Sequence, residues 1–163
     1  LTPAQSNSPA GVRYRKIEGA RAAWGLALLV APATTLGLVH GLTVDKRSRA
    51  VARILGARHL TQATLSGVRP SPEVLAMGVW VDAVHAATAV GLAVLDTSRA
   101  RAGLTDAAIA GVWAGAGYRD LDSAKATPPQ HQRLRDTLAA MVLHYAPGGG
   151  PLLSRARRAR RTG

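Results

Sequence analysis

Apolar positions along the chain fall in blocks rather than in an even scatter. From Ala22 to Val44 no residue carries a formal charge, and a helix over that run is roughly 35 Å long, enough to cross a bilayer core. Its large apolar residues, Leu26, Leu28, Leu29, Val30, Leu36, Leu38, Val39 and Leu42, point all around the helix. Such a helix belongs in a large core or in lipid. A chain of 163 residues has little room to enclose one, so the pattern predicts a membrane span over 22–44. A second block, Val74 to Leu95, is interrupted only by Asp82; it opens after Pro70, Ser71 and Pro72 and breaks at Asp96-Thr97-Ser98. A third, Ala102 to Tyr118, carries Asp106 near its entrance and closes on Tyr118-Arg119, an aromatic and basic interfacial pair. Arg47 to Val68 includes Arg49, Arg53, Arg58 and His59, so it reads as a helix only because spans flank it.

Beyond Asp120 the pattern changes. Thr127-Pro128-Pro129 reads as a cap and helix start, and Leu134, Leu138, Met141, Val142 and Tyr145 form one apolar stripe. That amphipathic helix lies on a membrane surface, docks on a partner, or caps the protein's own bundle. Gly148-Gly149-Gly150-Pro151 ends it, and the acid-free run Arg155, Arg157, Arg158, Arg160 and Arg161 is expected to be a disordered, solvated tail. The fold class expected is all-α: a four-helix transmembrane bundle with a C-terminal amphipathic helix and a disordered basic tail. Its parts are a polar N-terminal segment (1–16), the membrane domain (17–121), the amphipathic segment (122–147) and the tail (148–163). Small residues recur every four positions at Gly19, Ala23, Ala27 and Ala31, at Ala83, Ala87 and Gly91, and at Ala107, Gly111 and Gly115. Gly37 and Gly41 repeat the spacing. Such stripes let helix backbones approach closely in lipid.

Composition sharpens this picture. The chain holds 21 Lys plus Arg against 9 Asp plus Glu, a net charge of +12, yet 47% of it is apolar. High charge without low hydrophobicity argues against whole-chain disorder. The absence of Cys excludes a disulfide scaffold, a Cys-ligated zinc site and thiol catalysis. The 22–44 run is too long for the apolar region of a signal peptide. With four spans both ends share a side, which holds Arg13, Arg15, Lys16, Arg69 and the basic C-terminal region. The turns at 45–49 and 97–101 take the other side, so the excess of Lys and Arg predicts an inner (plasma) membrane protein with both termini cytoplasmic.

The informative polar residues lie in the hairpin of the second and third helices. Reflecting His59 about the turn at 70–71 gives Asp82, so two anomalous regions meet near mid-membrane. A charge there costs about 2.5–3.5 kcal/mol on insertion scales and normally pairs inside the bundle. Asp82 is expected to pair with Arg58 or His59, with His85 one turn along and Gln62 extending the polar face. The intramembrane cluster Arg58, His59, Asp82 and His85 is then a structural ion pair fixing helix register, a proton, ion or polar-ligand site, or a haem site using His40 or His144. No histidine pair has a recognised haem spacing, and no cofactor or metal is expected. Pro32 interrupts the first helix and frees the Leu28 carbonyl; depth reflection puts Arg58 in reach of it, and an ordinary kink is the alternative. No P-loop, G-x-G-x-x-G, H-E-x-x-H, EF-hand or nucleophile motif is present.

Through Arg53-Ile54-Leu55-Gly56-Ala57-Arg58 and Asp82-Ala83-Val84-His85 the chain resembles uncharacterised small four-helix membrane proteins of high-GC actinobacteria, over about residues 17–120. The resemblance implies a fold and no activity. The reading is a non-enzymatic membrane subunit, an accessory or assembly factor whose partners are the bilayer and another membrane protein or a second copy. A small transport or redox anchor built on the intramembrane cluster is the first alternative. A soluble helical nucleic-acid binder is the second, since residues 46–69 are basic and acid-free; nucleic acid is not expected, because the 22–44 helix lacks a polar face.

Overall fold

The computed structural model describes residues 15–41, 44–67, 70–122 and 133–162. Among these the chain is all-helical: α1 (Lys16–Val30), α2 (Pro32–Thr35) running into a π turn (Leu36–His40), α3 (Lys46–Gly67), α4 (Pro72–Leu95), α5 (Ala100–Asp122), α6 (Leu134–Tyr145) and α7 (Gly149–Thr162). The Thr127-Pro128-Pro129 cap, Arg13 and Arg69 lie outside the described residues.

Local chemistry sets the helix starts. Asp45 accepts from the Ser48 amide at 2.7 Å and its hydroxyl at 2.6 Å, capping α3. Ser71 accepts from the Val74 amide at 3.2 Å, and Pro72 supplies the preset φ of a first helical residue. Asp96 accepts from the Ser98 amide at 3.1 Å and ends α4 in a short 3₁₀ turn, Thr97–Arg99.

The expected 22–44 helix is not one rod. It breaks between Val30 and Pro32, and the two arms diverge by 112°. Pro32 has no amide to continue the ladder, and Thr35 Oγ1 donates instead to the Ala31 carbonyl at 2.9 Å. Arg58 does not answer at this break; it bonds Asp82. The bend swings Pro32–His40 off the line of α1, while Leu36 still packs with Leu28 and Ala52 of α3. Among the described residues one helix, Pro72–Leu95, is by length and composition long and apolar enough to cross a membrane; Lys16–Val30 with Pro32–His40 qualifies only as a bent pair.

α1 packs on α3, and α4 on α5. Close approach is required at the first crossing, where a Cβ on Gly25 would lie 2.8 Å from the Gly56 carbonyl oxygen and one on Gly56 2.6 Å from that of Gly25. On α5, a Cβ at Gly103 would meet the Ala89 carbonyl oxygen at 2.7 Å. The expected stripes do not make these contacts. Gly19, Gly37, Gly91, Gly111 and Gly115 face open space, because four-residue recurrence marks a stripe without saying which face meets a neighbour.

The tail expected to be disordered forms α7 instead. Leu153 and Ala156 are buried on one face against Leu75, Leu121 and Leu143, with Ala159 beside them. Arg160 donates to both oxygens of Glu73, at 2.8 and 2.6 Å. The arginine run conceals this three-residue apolar spacing. α6 buries Asp136, Ala139 and Leu143, so it does cap the bundle, yet the stripe Leu134, Leu138, Met141, Val142 and Tyr145 remains exposed.

Candidate functional site

Asp82 is the centre of a closed ionic network. It is 1% exposed and lies on the face of α4 that meets α1 and α3. Arg21 of α1 donates to it with both terminal nitrogens, at 3.1 and 2.9 Å, while Arg58 of α3 donates at 2.7 Å and Gln62 at 3.1 Å. Arg21 also reaches Glu18 at 3.0 Å, and its guanidinium carbon lies 4.9 Å from the centre of the Trp113 ring. Arg15 pairs with Glu18 and, from Nε, with Asp120 of α5 at 2.7 Å. Three guanidinium groups thus face three carboxylates across four helices, an arrangement that answers the desolvation penalty of burying any one of them.

The sequence-predicted cluster divides here. Arg58 and Asp82 meet as expected. His59 lies at the right depth but not on the right face: consecutive helical residues point about 100° apart, and His59 turns to α1, where a Cβ on Gly25 would lie 3.0 Å from its own. His85 leaves Asp82 and pairs through Nε2 with Asp106 of α5 at 2.8 Å. His40, at the end of the π turn, is buried; His144 is exposed on α6 against Tyr145. Among the described residues no group of three or more His, Asp or Glu is placed to hold a metal ion.

Arg21, Glu18, Arg15 and Asp120 are the members sequence reading missed. Arg21 merely bordered the charge-free run, Arg15 counted only toward the basic flank, and Glu18 was given no role. Their one available signal was the i, i+3 spacing of Arg15, Glu18 and Arg21, which puts alternating charges on one helical face.

The spaces beside these residues differ in kind. The network encloses a void of about 10 Å³ lined by Glu18, Arg21, Gln62, Asp82 and Trp113, at most about one water in size. Between the α1–α3 and α4–α5 pairs, on the far side of His85, lies a cavity of about 370 Å³. The Pro32 bend shapes it, because the π turn carries Leu36 and His40 into its lining. The network can fix geometry; the 370 Å³ cavity has room for a ligand, as has a more open hollow of about 340 Å³ between α1 and α3, lined by Gly19, Ala22, Leu60, Ala63 and Gly67.

Outside the helical core, the Arg155 guanidinium bonded to Asp122 holds that carboxyl below its ordinary range, and the same bond pushes the guanidinium up. No protein family matches the chain, and no curated protein or solved structure matches it.

Proposed function

We propose that the chain is a non-enzymatic, multi-pass membrane protein that serves as an accessory or assembly subunit of a larger membrane complex. One observation carries the reading. Away from the ionic network, every long helix of the α1–α5 unit turns large apolar side chains outward: Val30 on α1 is 74% exposed, Ile54 on α3 69%, Leu95 on α4 88% and Val112 on α5 65%. A soluble monomer rarely exposes contiguous apolar surface beyond a few hundred Å², whereas lipid accepts it at no cost. The open faces of Gly111 and Gly115 suit the backbone of a neighbouring helix. The unit of long helices α1, α3, α4 and α5 then spans the inner membrane, with the Arg15 and α7 end cytoplasmic by the distribution of Lys and Arg.

Carbonate extraction of cell membranes, followed by purification in mild detergent, tests both halves. Retention in the pellet and a copurifying chain or stable homo-oligomer are expected. A carbonate-soluble chain with salt-dependent affinity for duplex DNA replaces the reading with nucleic-acid binding. A membrane-bound but stable, solitary monomer removes the complex and leaves the membrane assignment standing.

A further inference from the structure

The 370 Å³ cavity is lined mostly by apolar side chains, with the His85–Asp106 pair inside and Arg47 and Arg99 exposed at its rim. Its walls include Leu28, Ala52 and Ala89, which are buried, while Val51 on α3 and Leu92 on α4 are exposed and complete the rim. The rim joins outward apolar side chains to the basic turns at 45–49 and 97–101, so on the membrane reading an amphiphile reaches it at the edge of the bilayer. The interior end carries the His85–Asp106 pair, whose side chains keep 20% and 22% of their surface exposed. The Asp106 side chain therefore keeps open surface while it pairs with His85.

From this geometry we infer that the cavity binds a neutral lipophile with a hydroxyl head, of the alkylphenol or quinol type, its head donating a hydrogen bond to Asp106 and its tail leaving between Val51 and Leu92. The inference rests on the membrane reading above. The His85–Asp106 pair inside sets the orientation, head inward to Asp106 and tail outward past Val51 and Leu92. Charge sets the class. A cationic head must pass Arg47 and Arg99 at the rim and shed its hydration, and an anionic one that leaves those arginines for the inner end meets the Asp106 carboxylate. A hydroxyl supplies the donor that a carboxylate requires. The volume sits at the small end of ligand pockets, which suits one substituted ring with a tail continuing into the bilayer.

The test uses the full 163-residue chain in detergent and three matched probes: 4-decylphenol, decylbenzene and decanoate, titrated calorimetrically. Decylphenol is expected to bind at least about tenfold more tightly than either comparator, the worth of one hydrogen bond to a charged group. Asp106→Leu should erase that preference. Should Asp106→Leu fail to fold, Val51→Trp, a change at an exposed position of the opening, is expected to block decylphenol while leaving thermal stability in place. Equal binding of decylphenol and decylbenzene, tighter binding of decanoate, or full binding to Val51→Trp each overturns the inference. Carbonate fractionation of the same preparation separates the two failures: a membrane-retained chain without the preference defeats the ligand alone, and a carbonate-soluble chain defeats the membrane reading beneath it.

Discussion

Asp82→Ala strips the ionic network of its only carboxylate on α4. Arg21 loses both of its bonds to that residue and Arg58 loses one. Arg21 keeps Glu18 at 3.0 Å and the Trp113 face, whereas Arg58, with 22% of its side chain exposed, reaches toward solvent or lipid headgroups only by breaking its packing. Removing one partner of a buried pair costs about 3–5 kcal/mol, and the surviving Glu18 contact places this case at the lower end, about 3 kcal/mol. For a chain of this size that lowers the midpoint of thermal unfolding by roughly 6–12 °C. Asp82→Asn keeps a carbonyl oxygen for one donor and should fall between. The informative control is the triple change Arg21→Met, Arg58→Met and Asp82→Leu, which removes the charges together and should recover most of the loss, since a buried ionic group is replaceable by packed apolar groups of similar volume. Thermal retention of the monodisperse species in detergent measures all three. If Asp82→Ala melts within 2 °C or so of the parent, the network does not hold the helices and the reasoning fails.

Other expectations follow from the same packing. Gly56→Leu drives a side chain into the Gly25 carbonyl, already only 2.6 Å from a hypothetical Cβ; about 1–3 kcal/mol of overpacking loss should appear in the same melting assay. Gly111→Ala and Gly115→Ala meet open space, so each should stabilise the isolated chain by about 0.5–1 kcal/mol through helix propensity, and the pair should weaken recovery of any copurifying helix in pull-down. The Asp122–Arg155 bond depresses the Asp122 carboxyl from its ordinary 3.8, so its contribution is present above that value and is lost as the pH falls through the lowered one. Hydrogen exchange along α7 should accelerate on acidification below 3.8, and Asp122→Asn should remove that acid-dependent step. Replacing Leu138 and Met141 on the exposed stripe of α6 by Asp should leave melting unchanged and reduce association with vesicles or partner, read by flotation; a collapse in melting instead would mean that the stripe packs inside the protein.

Periodicity and charge made much of this protein legible before any coordinates. Helix content, the Ser71 and Asp96 boundaries, the Asp82–Arg58 pairing and the apolar stripe of α6 all follow from local rules, because capping, helical spacing and hairpin depth depend on residues near in sequence. Only the tertiary structure could decide which face of each helix meets which neighbour. Depth reflection placed His59 beside Asp82, but one residue of rotation turned it to α1, and His85 went to Asp106 for the same reason. Arg21 entered the network because α1 crosses α3 at Gly25 and Gly56; Gly56 continues a four-residue spacing from Ser48 and Ala52 that was not singled out, and Gly25 has no such partner on α1. The cavity beside His85 exists because the chain turns through 112° at Pro32; proline announced a break, but the direction of the arm depended on what α5 offered it. α7 is ordered because Glu73, Asp122 and a buried leucine cluster lie where its face can reach them, partners far away along the chain that an arginine-rich run cannot reveal by itself.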